Sequence, residues 1–339
     1  MVPFNQSAAV TTPMQQKYCE MERLVSNSII YVSKNGSDDT TGSAVTHPVR
    51  TLRKALEVSR NLKHRKTIKL TGISFLSEPL ILLPVDKCLL ITGSHHAVIK
   101  PLLPYSRGII VNGANGVTIS NIKFSDFIND PIYVVNSKYV SILNNLLSNT
   151  MSRAWSHGAI HFSGVVTGAY ISGNKIGGAD YSGIIIDTDL KSDVSNTKIN
   201  NNVVVNTCRR ISDCGAIYVN DRGKRSYSIE ISYNTISNFG NNYTKGRGIY
   251  LDDFASGVTV MHNIITGPGS YGVQIHGGSN NYVDKNVIDK RSINQPLLYQ
   301  SIEDKDGIFQ EMSNNVISKD LLDKSENYDG VEPINVKSR

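Results

Sequence analysis

Residues 215–278 read GAIYVNDRGKRSYSIEISYNTISNFGNNYTKGRGIYLDDFASGVTVMHNIITGPGSYGVQIHGG. One phrase is repeated there three times: a small residue, an alternating apolar strand, a polar corner, a second strand, then Asn with an aliphatic residue close behind. In register, Ala216-Ile217-Tyr218-Val219-Asn220-Asp221 lies over Gly248-Ile249-Tyr250-Leu251-Asp252-Asp253, and Gly272-Val273-Gln274-Ile275-His276-Gly277 lies over both. A repeat of this period is the mark of a solenoid.

The Asn phrase extends outward in both directions. It recurs at Asn121, Asn145, Asn174, Asn202, Asn234, Asn263, Asn286 and Asn315, at intervals of 24, 29, 28, 32, 29, 23 and 29 residues. Such loose spacing argues against helical pairs of fixed length and suits coils whose loops vary. Apolar residues between the asparagines alternate, as in Val117-Thr118-Ile119 and Ile229-Glu230-Ile231. Period two is a strand signal. The expected fold is all-β, a right-handed parallel β-helix: coils stack about 4.8 Å apart, aliphatic residues fill the core, and Asn side chains pair from coil to coil.

Composition sets the outer limits. The chain has 339 residues, 40% of them hydrophobic, with a net charge of +6. It has no apolar run of 18 residues, so no membrane span is expected. Its basic residues are scattered rather than laid in a stripe with aromatics, which argues against a nucleic-acid partner. Residues 1–27 read as a flexible tail with one helical turn near Gln15–Leu24, and no secretory signal opens it. The β-helix domain spans 28–318, and 319–339 read as a polar cap or tail. Thr51 is placed to cap a helix whose Leu52, Ala55 and Leu56 would cover the first coil, which otherwise exposes strand edges. Of four cysteines, Cys208 and Cys214 flank one corner and could pair in an oxidising compartment; free thiols are the expected state.

Tyr31-Val32-Ser33, followed by Gly36-Ser37-Asp38, Gly42, Pro48, Thr51 and Ala55, resembles the opening of the pectate-lyase-like β-helix superfamily. Asp213-Cys214-Gly215-Ala216-Ile217-Tyr218 and Gly248-Ile249-Tyr250-Leu251-Asp252-Asp253 resemble motifs of its carbohydrate-active members. That superfamily holds hydrolases, lyases, epimerases and phage tailspikes, so the resemblance implies the fold more firmly than the activity. It implies a polysaccharide or oligosaccharide partner, with an acidic one compatible with the positive charge, and a monomer or homotrimer. No acidic cluster matches a pectate-lyase calcium site. No cofactor is required, although Ca2+ is compatible with Asp187-Thr188-Asp189 and Asp193.

The register also yields candidate chemistry. If Ile160, Ile184, Ile217, Ile249 and Val273 point inward, so do Phe162, Ile186, Val219, Leu251 and Ile275. The outward columns are then His161, Ile185, Tyr218, Tyr250, Gln274 and Ser163, Asp187, Asn220, Asp252, His276. Asp213, Asp252, Asp187 and Asp253 are the candidate acids, bases or nucleophiles. Tyr218, Tyr250, His161, His276, Asn220, Asp221, Arg222, Arg247 and Gln274 are candidate substrate contacts, the tyrosines through flat apolar rings. Asp187 and Asp252 should stand about 10 Å apart at Cα, two coils of one column. Hydrolysis of a glycosidic bond leads this reading. Elimination from a uronate, with Arg222, Lys224, Arg225 and Arg247 neutralising the acid, is the alternative, and a non-catalytic glycan-binding or tailspike-type protein is the third. An extracellular or cell-surface glycan is the expected target, reached after processing or from a virion.

Overall fold

The computed structural model describes residues 13–21, 27–62, 65–94, 96–103, 107–152, 154–188, 193–222, 226–300 and 315–318. Three long sheets, of eleven, nine and nine strands, run the length of the molecule. Each coil gives one strand to each sheet. The coil of the repeat contributes Gly215–Asp221, Ser226–Ser232 and Thr235–Phe239; the next contributes Arg247–Asp252, Ser256–Met261 and Ile264–Thr266. Neighbouring coils pair in parallel throughout these sheets. The repeat therefore holds three strands per coil, where the alternation alone suggested two, because the short segment after each Asn is itself a strand.

The register follows the expected columns. Ile160, Ile184, Ile217, Ile249 and Val273 are successive partners, as are Phe162, Ile186, Val219, Leu251 and Ile275. All ten are essentially inaccessible. Burying a side chain of this size is worth about 1.5–3 kcal/mol, so every coil adds to the column that fixes its neighbours' register.

Asn145, Asn174, Asn202, Asn234, Asn263 and Asn286 form one ladder. Each passes its backbone N–H and Nδ2 to the Oδ1 of the next at 2.9–3.1 Å. Two of the eight candidates stand elsewhere. Asn121 falls one residue short, so Ile122 occupies the corner and its N–H bonds Asn145 Oδ1. Asn315 belongs to a second corner, where it accepts from Asn281 N–H, and Asn281 in turn accepts from Val258 N–H.

The N-terminal end is covered by helix α2 (Leu52–Arg60), while helix α1 (Pro13–Met21) lies against the side of the eleven-stranded sheet at residues 116–118 and Ser141. Thr51 caps α2 by accepting Lys54 N–H, and Leu52, Ala55 and Leu56 are buried. Asp38 accepts from Arg50 N–H, Thr51 N–H and the Thr51 hydroxyl, which explains why a Gly-Ser-Asp turn precedes this helix. The tail reading is corrected for α1. It is docked: the Gln15 amide donates to Gly116 O, Val117 O and Thr118 Oγ1, and Cys19 is bonded to Cys88. Cys208 and Cys214 are also bonded, so the free-thiol expectation is overturned for all four cysteines. At the other end Ile293–Gln300 adds a site-sheet strand that sequence reading passed over, and Val316-Ile317 pairs with Tyr282-Val283. Gly307-Ile308-Phe309, Lys224, Arg225, Asp189 and residues 319–339 lie outside the described residues. No described helix is long and apolar enough to cross a membrane.

Candidate functional site

One nine-stranded sheet carries nearly every candidate side chain. Its central strands are Ile132–Val135, Gly158–Ser163, Ser182–Thr188, Gly215–Asp221, Arg247–Asp252 and Gly269–His276. On its outer face Tyr218 pairs with Tyr250 and Tyr250 with Gln274, while Asp187, Asn220 and Asp252 follow one another in the adjacent column.

Asp252 is the centre. Its Oδ2 accepts the Tyr218 hydroxyl at 2.6 Å and its Oδ1 lies 2.7 Å from His276 Nδ1. Tyr250 Oη is 3.5 Å from the same His276 nitrogen. Burial opposes the charge on Asp252, but the bonds from His276 and Tyr218 outweigh it and hold the carboxyl below its ordinary range. His276 is raised in return, against its own burial, by the bond to Asp252.

Asp213 is tuned the opposite way. Burial and then the nearby Asp252 charge push its carboxyl up, although Arg247 Nη1 stands 3.6 Å away and more than half of the side chain is open. Asp213 sits in the loop closed by the Cys208–Cys214 disulfide, and Tyr181 Oη donates to its carbonyl at 2.7 Å. Tyr181, Tyr218 and Tyr250 pack with that disulfide and Ile185 into a small apolar cluster of their own. Arg247 closes one side, 4.4 Å above the Tyr250 ring, with its Nε donating to Gln274 Oε1.

Several candidates take roles other than those expected. Tyr218 and Tyr250 are buried, with ring centroids 5.1 Å apart, so they brace each other and cannot offer open faces to a sugar. Burial and the neighbouring Asp252 push both phenols well above their ordinary value. Asp221 shares the inward parity of Ile217 and Val219; it is fully buried and accepts the Thr188 hydroxyl, which corrects its place among substrate contacts. Gln274 is buried and bridges Arg247 to Gln300. Asp253 follows the strand end with φ +46° and pairs with Arg222 at 2.8 Å. Asp187 keeps its outward place beside Asn220, half-buried. Asn220 is buried and its Oδ1 has no partner among the described residues, directly beside Asp252.

His161 is not part of this group. It stands three strands away on the same face, with a second buried carboxylate, Asp130, 3.1 Å from its Nδ1. Sequence reading missed Asp130, Arg107, His157 and Tyr181. Only His157-Gly158, placed just before the His161 strand, could have drawn attention.

Asp252, Asp253 and His276 bring ligand-type atoms within 4.8 Å of one another, as do Asp130, His157 and His161. A hard cation such as Ca2+ wants six to eight oxygens. Neither group offers that donor set, and each already holds an arginine on one carboxylate.

The chain is similar in structure to the catalytic domain of a family 87 glycoside hydrolase, an α-1,3-glucanase, in complex with tetrasaccharides (TM-score 0.58, 16% identity, 86% of this chain). It spans only 58% of that domain's length. It is also similar to a family 136 lacto-N-biosidase from Eubacterium ramulus (TM-score 0.53, 10% identity, 89% of this chain, 70% of the other). An alginate lyase from Paenibacillus gives a TM-score of 0.51 at 12% identity, over 85% of this chain and 99% of the other. At these identities the likeness is one of fold. Among curated proteins no relative matches the chain in sequence. The family model for the right-handed β-helix region matches residues 107–288, more than half of the chain, and the chain belongs to that family.

Proposed function

We propose that the protein hydrolyses glycosidic bonds in a polysaccharide or oligosaccharide, with Asp213 as the acid and Asp252 as the base. The observation that carries this is the unlike setting of two neighbouring carboxyl groups. Asp252 is buried and held by Tyr218 Oη at 2.6 Å and His276 Nδ1 at 2.7 Å, while Asp213 is open to solvent beside Arg247. The charge of Asp252 helps to push Asp213 up, while Asp252 itself is held down. Carboxyl groups forced apart in this way divide acid from base. Asp213 protonates the leaving glycosidic oxygen, and Asp252 takes a proton from the attacking water. Asn220 Oδ1, buried and unpartnered beside Asp252, is the natural second acceptor for that water. His276 and Tyr218 hold Asp252 ionised and aimed.

Elimination at the Asp252 patch would ask for a base with a free lone pair there and for cations open to the uronate. The phenols of Tyr218 and Tyr250 are driven away from ionisation. Arg222 and Arg247 each already face a carboxylate. Both features favour hydrolysis. The two disulfides suit an oxidising place of action, which we take to be an extracellular or cell-surface glycan, reached after processing or from a virion. A polysaccharide panel tests the reading. New reducing ends without unsaturated-uronate absorbance are expected; absorbance would mean elimination, and no cleavage would mean a binding protein.

A further inference from the structure

The second buried carboxylate on this face, Asp130, is fully enclosed and takes four donors. Gly158 N–H donates to Oδ1 at 2.9 Å and Arg107 Nε to Oδ2 at 2.8 Å. His161 Nδ1 and His157 Nδ1 lie 3.1 Å from Oδ1 and Oδ2. Against its own burial, the two imidazoles, His161 foremost, hold Asp130 far below the ordinary carboxylate range. An ionised carboxylate only accepts, so both imidazoles present Nδ1–H to it, which leaves the Nε2 of each for another partner. His161 Nε2 is buried without a partner among the described residues. A buried polar atom left without a bond is costly, and it points to a ligand or water that completes it.

Arg107 is the other half of the observation. Its guanidinium carbon stands 4.0 Å from the centroid of the Tyr133 ring, Nε is fixed on Asp130, and the side chain is one-third exposed. Neither terminal nitrogen has a bond to a described residue. A guanidinium held in this way offers its outer edge as a preformed fork for a carboxylate. Trp155, two residues before His157 in the sequence, is largely exposed.

We propose that this cluster is a second saccharide subsite that reads a carboxylate. Arg107 receives the carboxylate of an acidic sugar residue, half-buried His157 meets its hydroxyls, and buried His161 is reached through one water. His161 stands three strands from Tyr250, about 14 Å along the wall, so one ligand touches both places only if it is an oligomer. The subsite rests on the hydrolytic reading above and narrows its substrate to a uronate-containing chain. A divalent metal is the weaker occupant, since it would have to displace a guanidinium already on Asp130.

The test uses full-length Asp252→Asn protein, titrated by calorimetry with tetramers and hexamers of galacturonate and of alginate and with their carboxyl-reduced counterparts. Acidic hexamers should bind at least tenfold more tightly than reduced ones, and Arg107→Gln should remove that difference while leaving reduced oligomers unchanged. The parent comparison of acidic and reduced oligomers needs no change at Arg107, so it stands even if that variant folds poorly. Equal binding of both classes, no binding of any acidic oligomer, or His157 and His161 imidazole resonances that move with zinc alone would overturn the proposal. Failure of the hydrolytic reading shows separately, as absent reducing ends from the parent protein, and leaves this binding pattern readable.

Discussion

Asp130 and Asp252 make an instructive pair. Both are buried carboxylates, Asp252 at the end of one strand of the sheet and Asp130 just before another, and both bond histidine through Nδ1. Asp130 has a guanidinium, two imidazoles and a backbone N–H, and among the described residues no second carboxylate is a cause of its shift. Asp252 has a phenol and one imidazole, with Asp213 and Asp253 close enough for their charges to act on the same neighbours. A fully satisfied buried charge is a fixture. One that competes with another carboxyl for protons is chemistry in waiting.

The sharpest way to break the comparison is Asp252→Asn. It should lower kcat by about 10²–10⁴-fold on whichever polymer the parent cuts, with less harm to stability than the Asp130 change. Asp130→Ala should do the reverse, leaving the Arg107 guanidinium facing a buried void and costing about 3–5 kcal/mol in chemical denaturation. If the two variants exchanged phenotypes, the assignment of roles would fall. The Asp130 contribution also has a pH signature. Its folded value is depressed, so its stabilisation is complete above the unfolded value near 3.9 and is lost as pH falls through the lower folded value. Denaturation midpoints of the parent should therefore drop below about pH 4, and Asp130→Ala should drop less.

A smaller effect separates both sites from their frame. Asn202→Ala removes one rung between Asn174 and Asn234 and should cost about 1–3 kcal/mol, read as a lower melting temperature with unchanged kcat. Tyr218→Phe should be mildest, slowing turnover about tenfold, since Asp252 keeps its bond to His276.

Much of this was legible in the sequence because strand parity is unforgiving. Ile217, Ile249 and Val273 had to face one way, so Tyr218 and Asp252 had to face the other. The same parity would have placed Asp221 inward beside Val219, had it been applied one residue further. Outward did not mean exposed. The disulfide loop at 208–214 and the Arg247 side chain cover Tyr218 and Tyr250, and nothing in the period of a strand reports what lies above it. Asp130 was invisible for a related reason: its partners Arg107, His157 and His161 stand 23–31 residues away, in neighbouring coils. The ladder was readable for six asparagines because their corner repeats. Asn121 and Asn315 matched the phrase from a different place in the coil.

The pH dependence of kcat/KM in the parent and in Asp213→Asn tests the central claim most directly. A bell on the acid side is expected, rising as Asp252 loses its proton below its ordinary 3.8 and falling as Asp213 loses its own above that value. The variant should be slow and should lack the alkaline limb. An alkaline limb that survives intact in Asp213→Asn would contradict the assignment of Asp213 as the acid.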